Sequence, residues 1–141
     1  MSRPVSEQAV HVGCDLDIVR IRKVVRECAV AAGLSLVDQT KLVTAASELA
    51  RNTLVHGGGG EVTVATENTE RGTTIRLVFA DRGPGIPDVE KALTDGFTTN
   101  SALGLGLGGA RRLVHEFEID TAPGRGTTVR IGFHGPHRRG R

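Results

Sequence analysis

Ser47-Glu48-Leu49-Ala50-Arg51-Asn52 is the stretch on which the reading of this chain turns. Glu48 and Asn52 stand four residues apart, so on a helix they project from one face, one turn above the other. A carboxylate and an amide oxygen placed that way suit hard-cation chemistry. The amide can ligate Mg²⁺, and the carboxylate can take a proton or orient a nucleophile. For an isolated pair the plain alternative is an exposed polar stripe on an amphipathic helix. His56 continues the same face another turn on, but the spacing matches no zinc motif. It reads as a helix C-terminal residue, where positive charge suits the dipole.

Two glycine-rich signatures follow the helix and change the balance. Asp81-Arg82-Gly83-Pro84-Gly85-Ile86 comes first. Asp81 ends a strand whose inward face is Ile75, Leu77 and Phe79. A carboxylate there is costly to bury unless something donates to it, and an adenine amino group is such a donor. Gly83 and Gly85 remove side chains where a flat base must approach the backbone, and Pro84 stiffens the loop between them. A plain strand-exit turn uses the same residue types.

The second signature is Gly104-Leu105-Gly106-Leu107-Gly108-Gly109, ahead of a helix. Backbone amides freed of side chains beside a helix start make a phosphate cradle. The pattern has no P-loop lysine and does not follow a strand, so neither a P-loop nor a dinucleotide fingerprint fits. Its alternating leucines suggest a flap able to close over phosphates; a surface loop is the plain alternative. Gly124-Arg125-Gly126-Thr127-Thr128 then turns into the last strand, where the Thr127 hydroxyl can reach a base directly or through water. Strand propensity alone also accounts for threonine there. Taken in order, the helix pair and the glycine boxes read as a nucleotide pocket.

Bulk properties agree. The 141 residues suit one domain, and 38% hydrophobic with 24% charged residues is ordinary for a soluble globular chain. Four Phe with no Trp or Tyr argue against a base-stacking single-strand binder. A net charge of +2 is too small to imply a nucleic-acid field. Cys14 and Cys28 have no ligand-spaced partners and read as buried or half-buried thiols of a reducing compartment. With no membrane-length apolar run and no signal pattern, the expectation is a cytoplasmic protein without a membrane or nucleic-acid partner.

Along the chain, residues 10–14 predict a short strand, and Asp15 or Asp17 starts a helix ending at Gly33. Its apolar positions are Ile18, Ile21, Val25, Cys28 and Ala32; Arg20, Arg22, Lys23 and Arg26 form a solvated face. Ser35 and Asp38 predict an N-cap for the helix carrying Glu48 and Asn52, which residues 57–60 stop. A hairpin follows through Val62, Val64, Ile75, Leu77 and Phe79. A short helix follows Pro87-Asp88, and another opens near Gly108 with Ala110, Leu113 and Val114. A last hairpin holds Phe117, Ile119, Val129, Ile131 and Phe133. The prediction is an α+β two-layer sandwich: a mostly antiparallel sheet with helices on one face.

In these residues the chain resembles the GHKL ATPases, the family of gyrase B, MutL, the histidine kinases and the switch kinases of bacterial sigma-factor control. The Glu-and-Asn helix, the Asp-x-Gly-x-Gly turn, the Gly-rich lid and the closing Gly-Thr occur in that family's order, from the first strand to about Phe133. Within the family it is similar to RsbT-like serine/threonine switch kinases. Asp81-Arg82-Gly83-Pro84-Gly85-Ile86-Pro87-Asp88, Asp95-Gly96-Phe97-Thr98-Thr99, residues 103–109 and Arg112-Leu113-Val114-His115-Glu116-Phe117 carry that likeness.

The resemblance implies a Bergerat ATP-binding fold over residues 1–134 and ATP and Mg²⁺ as cofactors; residues 135–141, basic and set among Gly and Pro, read as a flexible tail. It implies that Asn52 holds the Mg²⁺ and that Asp81 reads the adenine amino group beside Gly83, Gly85 and Ile86. Gly104, Leu105, Gly106, Leu107, Gly108 and Gly109 form the lid, Thr127 completes the base pocket, and Glu48 is the general base. It further implies a protein-serine/threonine kinase acting on a STAS-domain antagonist, with a PP2C-type phosphatase as a further partner. An anti-sigma factor kinase binding a sigma factor directly, or a non-catalytic ATP-binding module, is the alternative. The residues 57–60 run is richer in glycine than the family pattern leads one to expect and touches none of these roles.

Overall fold

The computed structural model describes residues 3–70, 72–93 and 106–136, and for residues 3 and 4 the backbone alone. Five strands, β1 (Arg3–Val12), β2 (Gly60–Thr69), β3 (Gly72–Asp81), β4 (Glu116–Thr121) and β5 (Thr127–His134), form one sheet in the order β1-β2-β3-β5-β4. Every pairing in it is antiparallel. Helices α1 (Asp15–Ala31), α2 (Leu36–Val55), α3 (Val89–Ala92) and α4 (Gly106–Arg112) complete the described elements.

Alternation explains the layering. Ile75, Leu77 and Phe79 are buried while Arg76 and Val78 between them keep partial exposure, so β3 turns one face to the helices. Val62 and Val64 from β2, and Val129, Ile131 and Phe133 from β5, extend that face. Ile21 and Val25 of α1, with Leu42 and Leu49 of α2, pack down on it. Fully burying each such side chain stabilises by roughly 1.5–3 kcal/mol. The predicted basic face of α1 is exposed.

Capping fixes where the helices begin. The Ser35 hydroxyl accepts from the Asp38 amide at 3.1 Å, as the spacing predicted. At α1 the Asp17 carboxylate reaches back to the amides of Gly13 (2.8 Å) and Cys14 (3.2 Å). Those amides, foremost that of Gly13, hold the Asp17 carboxyl below its ordinary range.

Four expectations need correction. β1 spans ten residues rather than residues 10–14, because residues 5–9 are exposed on both faces and carry no inward apolar alternation to read. Gly13 and Cys14 belong to the helix cap instead, which leaves Cys14 exposed; only Cys28 is half-buried, its thiol pushed up by desolvation. α4 opens at Gly106 and ends at Arg112, before Leu113 and Val114. Of the expected tail, Gly135 is tied down by donating to the Thr73 carbonyl at 2.7 Å; residues 137–141 lie outside the described residues.

Candidate functional site

The register brings Gly60, Asp81, Thr127 and Thr121 side by side across β2, β3, β5 and β4 at one end of the sheet. A cavity of about 480 Å³ opens there, between the sheet and the second half of α2. Leu49, Asn52, Thr53 and His56 of α2 form one wall, and Phe79, Asp81, Thr127 and Val129 the floor. The turn from Pro84 to Asp88, with Lys91 and Ala92 of α3 and Gly106 and Leu107 of α4, closes the remaining sides. The volume suits a cofactor-sized ligand, and the wall is largely apolar with a few polar groups.

Asp81 is held so that half of its carboxylate is engaged by the protein. Its Oδ1 accepts from the amides of Gly83 (2.8 Å) and Thr127 (3.2 Å). Its Oδ2 lies against Gly57, where a Cβ would stand 2.5 Å from Oδ2 and 2.3 Å from Cγ. Gly57 in turn faces Gly83, whose own Cβ would come within 2.7 Å of the Gly57 Cα. The glycine run after α2 was expected to touch no role, and this overturns that expectation. Gly57 is the surface on which the aspartate rests, and no side chain fits there.

The neighbouring turn is pinned by one hydroxyl. Thr121 Oγ1 accepts from the Ile86 amide at 2.9 Å, donates to the Gly126 carbonyl at 3.0 Å and stands 2.9 Å from Thr127 Oγ1. Gly85 has φ +81 and presses on the Ala122 carbonyl, which a Cβ would approach to 2.1 Å. Only glycine gives both the backbone conformation and the close approach.

On α2, Asn52 lines the cavity while Glu48, one turn earlier, stands beyond its wall with Oε1 3.4 Å from the Gly106 amide. Glu48 therefore sits between α2 and the start of α4. The Nε of Arg51 is buried with no hydrogen-bond partner among the described residues.

Of the expected site residues, Asn52, Asp81, Gly85, Ile86, Gly106, Leu107 and Thr127 share this one cavity. Gly83 supports Asp81 from behind. Gly108 and Gly109 lie in the body of α4 and do not form the wall. Gly104 and Leu105 lie outside the described residues, as does the stretch from Asp95 to Thr99. His56, expected only to end its helix, does cap it and also lines the cavity. Lys91, Asp88, Gly57 and Thr121 were not singled out as site residues. The only local signal was the Pro87-Asp88 helix start; the other placements depend on distant parts of the chain.

The model of the histidine kinase-like ATPase domain matches residues 14–133. The chain belongs to that family. It is 37% identical over 123 residues to serine/threonine-protein kinase RsbT of Bacillus subtilis (strain 168), across 87% of this chain and 92% of that protein. It is 31% identical over 114 residues to an anti-sigma F factor of Thermoanaerobacter sp. (strain X514), across 78% and 80% of the two chains. Among solved structures, that of the RsbU and RsbW domains of Rv1364c from Mycobacterium tuberculosis matches with a TM-score of 0.63 at 23% identity. That match takes in 96% of this chain and 34% of the other, and it speaks to the fold. Membership of the histidine kinase-like ATPase family implies ATP as the nucleotide this chain uses.

Proposed function

We propose that this protein is an ATP- and Mg²⁺-dependent protein-serine/threonine kinase of a partner-switching pathway, acting on a STAS-domain antagonist. The observation that carries the reading is the cavity itself, where a half-satisfied carboxylate and an α2 amide meet between glycine-lined walls. The similarity to a named serine/threonine-protein kinase over most of both chains supports the choice of reaction.

In this reading the adenine amino group donates to Asp81, and the bare surfaces of Gly83 and Gly85 admit the flat base. Asn52 faces the phosphates. Among the described residues no group of three His, Cys, Asp or Glu side chains is placed to hold a metal. Mg²⁺ fits such a site, because it keeps several waters and relies on substrate phosphates more than on a protein cage. Asn52 would hold it, and the ion would neutralise phosphate charge. Gly106 and Leu107 face the nucleotide as the cavity-lining part of the lid.

In this reading Glu48, whose Oε1 lies 3.4 Å from the Gly106 amide, meets the incoming hydroxyl at the end of the triphosphate. As general base its carboxylate takes the hydroxyl proton while the serine or threonine oxygen bonds to the γ-phosphorus. The bond to the β–γ bridging oxygen breaks, and ADP leaves with that electron pair. Positioning and electrostatics supply most of the rate in such transfers.

A PP2C-type phosphatase is the further partner in this reading. Direct binding of a sigma factor is the second reading, supported by the likeness to the anti-sigma F factor over a smaller share of the chain. Incubation with labelled ATP, Mg²⁺ and STAS-domain proteins tests the first. Transfer to serine or threonine is expected, falling about 10²–10⁴-fold in Glu48→Gln while ATP binding persists. Transfer that survives Glu48→Gln unchanged, or no transfer to any such protein, contradicts it; stable capture of a sigma factor alone moves the assignment to the second reading.

A further inference from the structure

We infer that the outward seam of α1 is a docking surface for an acidic amphipathic helix of a partner protein. Ile18, Ile21, Val25 and Ala29 bury one side of α1 in the core. On the opposite side Leu16, Val19, Lys23, Arg26 and Val30 are exposed and recur at alternating steps of three and four residues. Such spacing is the seam by which one helix packs along another. Its aliphatic members Leu16, Val19 and Val30 are 68%, 58% and 58% exposed. Single exposed aliphatics are ordinary on a protein surface, but these three share one row at seam spacing. Lys23 and Arg26 fill the middle of the row and have no ion-pair partner among the described residues. The seam lies outside the nucleotide cavity.

The charges decide what covers it. A second copy of this chain does not fit. Pairing antiparallel across a two-fold axis, with Leu16 of one copy on Val30 of the other, sets Lys23 against Lys23 and Arg26 against Arg20. A parallel pairing sets Lys23 against Lys23 and Arg26 against Arg26. Both arrangements bring like charges face to face, which is costly. A membrane fits no better. An interfacial helix presents an unbroken apolar face with its cations on the polar side, and here the cations interrupt the apolar row. A partner helix with aliphatic residues at its two ends and carboxylates between them meets every position. From Leu16 to Val30 the seam runs roughly 21 Å, so about 15 residues of partner helix match it. The aliphatic ends exclude water, while carboxylates opposite Lys23 and Arg26 set the register and select the partner.

Fluorescence anisotropy of the full chain with two labelled helical peptides of about 15 residues tests this. Both peptides carry leucine at the outer seam positions; one has glutamate at the middle positions and the other has lysine. The glutamate peptide should bind about tenfold more tightly or better, and less tightly as salt is raised. Lys23→Glu combined with Arg26→Glu, both at exposed positions, should reverse the preference. Leu16→Ser combined with Val30→Ser should weaken the glutamate peptide several-fold, which separates seam packing from attraction between loose charges. Melting temperatures near that of the unchanged protein show that both variants fold. The inference is overturned if the unchanged protein does not bind the glutamate peptide, if charge reversal leaves the preference in place, or if binding survives loss of both aliphatic ends. Capture of the unchanged protein by phosphatidylserine vesicles, abolished by Lys23→Glu with Arg26→Glu, would overturn it in favour of a membrane.

Discussion

The two ends of β3 place polar side chains under opposite rules. At the Thr74 and Arg76 end, the side chains of Arg76, Thr74 and His134 close on other groups of the protein. Arg76 pairs with Glu67 (2.8 Å) on β2 and with Glu116 on β4, and these carboxylates hold its guanidinium firmly charged. Thr74, fully buried, meets His134 Nδ1 at 3.3 Å, and His134 Nε2 faces Glu116 at 3.3 Å. At the Asp81 end, the carboxylate has backbone donors on one oxygen and a bare glycine against the other. The lesson is that complementarity already met inside the chain marks a structural site, whereas complementarity left open beside a cavity marks a ligand.

Substitutions at the two ends sharpen the contrast. Gly57→Ala should have a larger effect than any change at the closed end, because the new Cβ meets Asp81 Cγ at 2.3 Å. Moving either costs on the order of 1–3 kcal/mol. ATP affinity measured by calorimetry should fall at least several-fold, with a smaller change in melting temperature. Arg76→Met attacks the closed end. Arg76 is itself 37% exposed, so solvent screening limits the loss to about 1 kcal/mol of stability, read in urea unfolding. ATP affinity should not change; a loss there would mean that the two ends are coupled.

Asp17→Asn should have the smallest effect and serves as a pH control away from both ends. The folded Asp17 carboxyl is depressed, so its contribution is present above the unfolded value of about 3.9 and is lost as pH falls through the folded value. The variant should melt slightly lower at neutral pH, and the difference should vanish once pH has fallen below the folded value. A difference that persists there would assign the effect to packing.

Much of this architecture was legible from local pattern. Ser35 with Asp38 gave the helix start, the alternation of Ile75, Leu77 and Phe79 gave the inward face, and the four-residue spacing put Glu48 and Asn52 on the same side of α2. Such features depend on neighbours within a turn or a strand. Gly57 against Asp81 and Thr121 against Ile86 join residues 24 and 35 positions apart, and only the finished sheet brings them together. The length of β1 was hidden for another reason. Residues 5–9 of this edge strand are exposed on both faces and carry no hydrophobic alternation, and the ladder with β2 is what defines it.

Titration of ATP into the unchanged protein, Asp81→Asn and Arg76→Met under one set of conditions tests the central claim most directly. Loss of a hydrogen bond to a charged group is worth about 1.5–3 kcal/mol, so Asp81→Asn should bind roughly ten- to a hundredfold more weakly, with Arg76→Met unchanged. Equal affinity in all three proteins, or a loss confined to Arg76→Met, would contradict it.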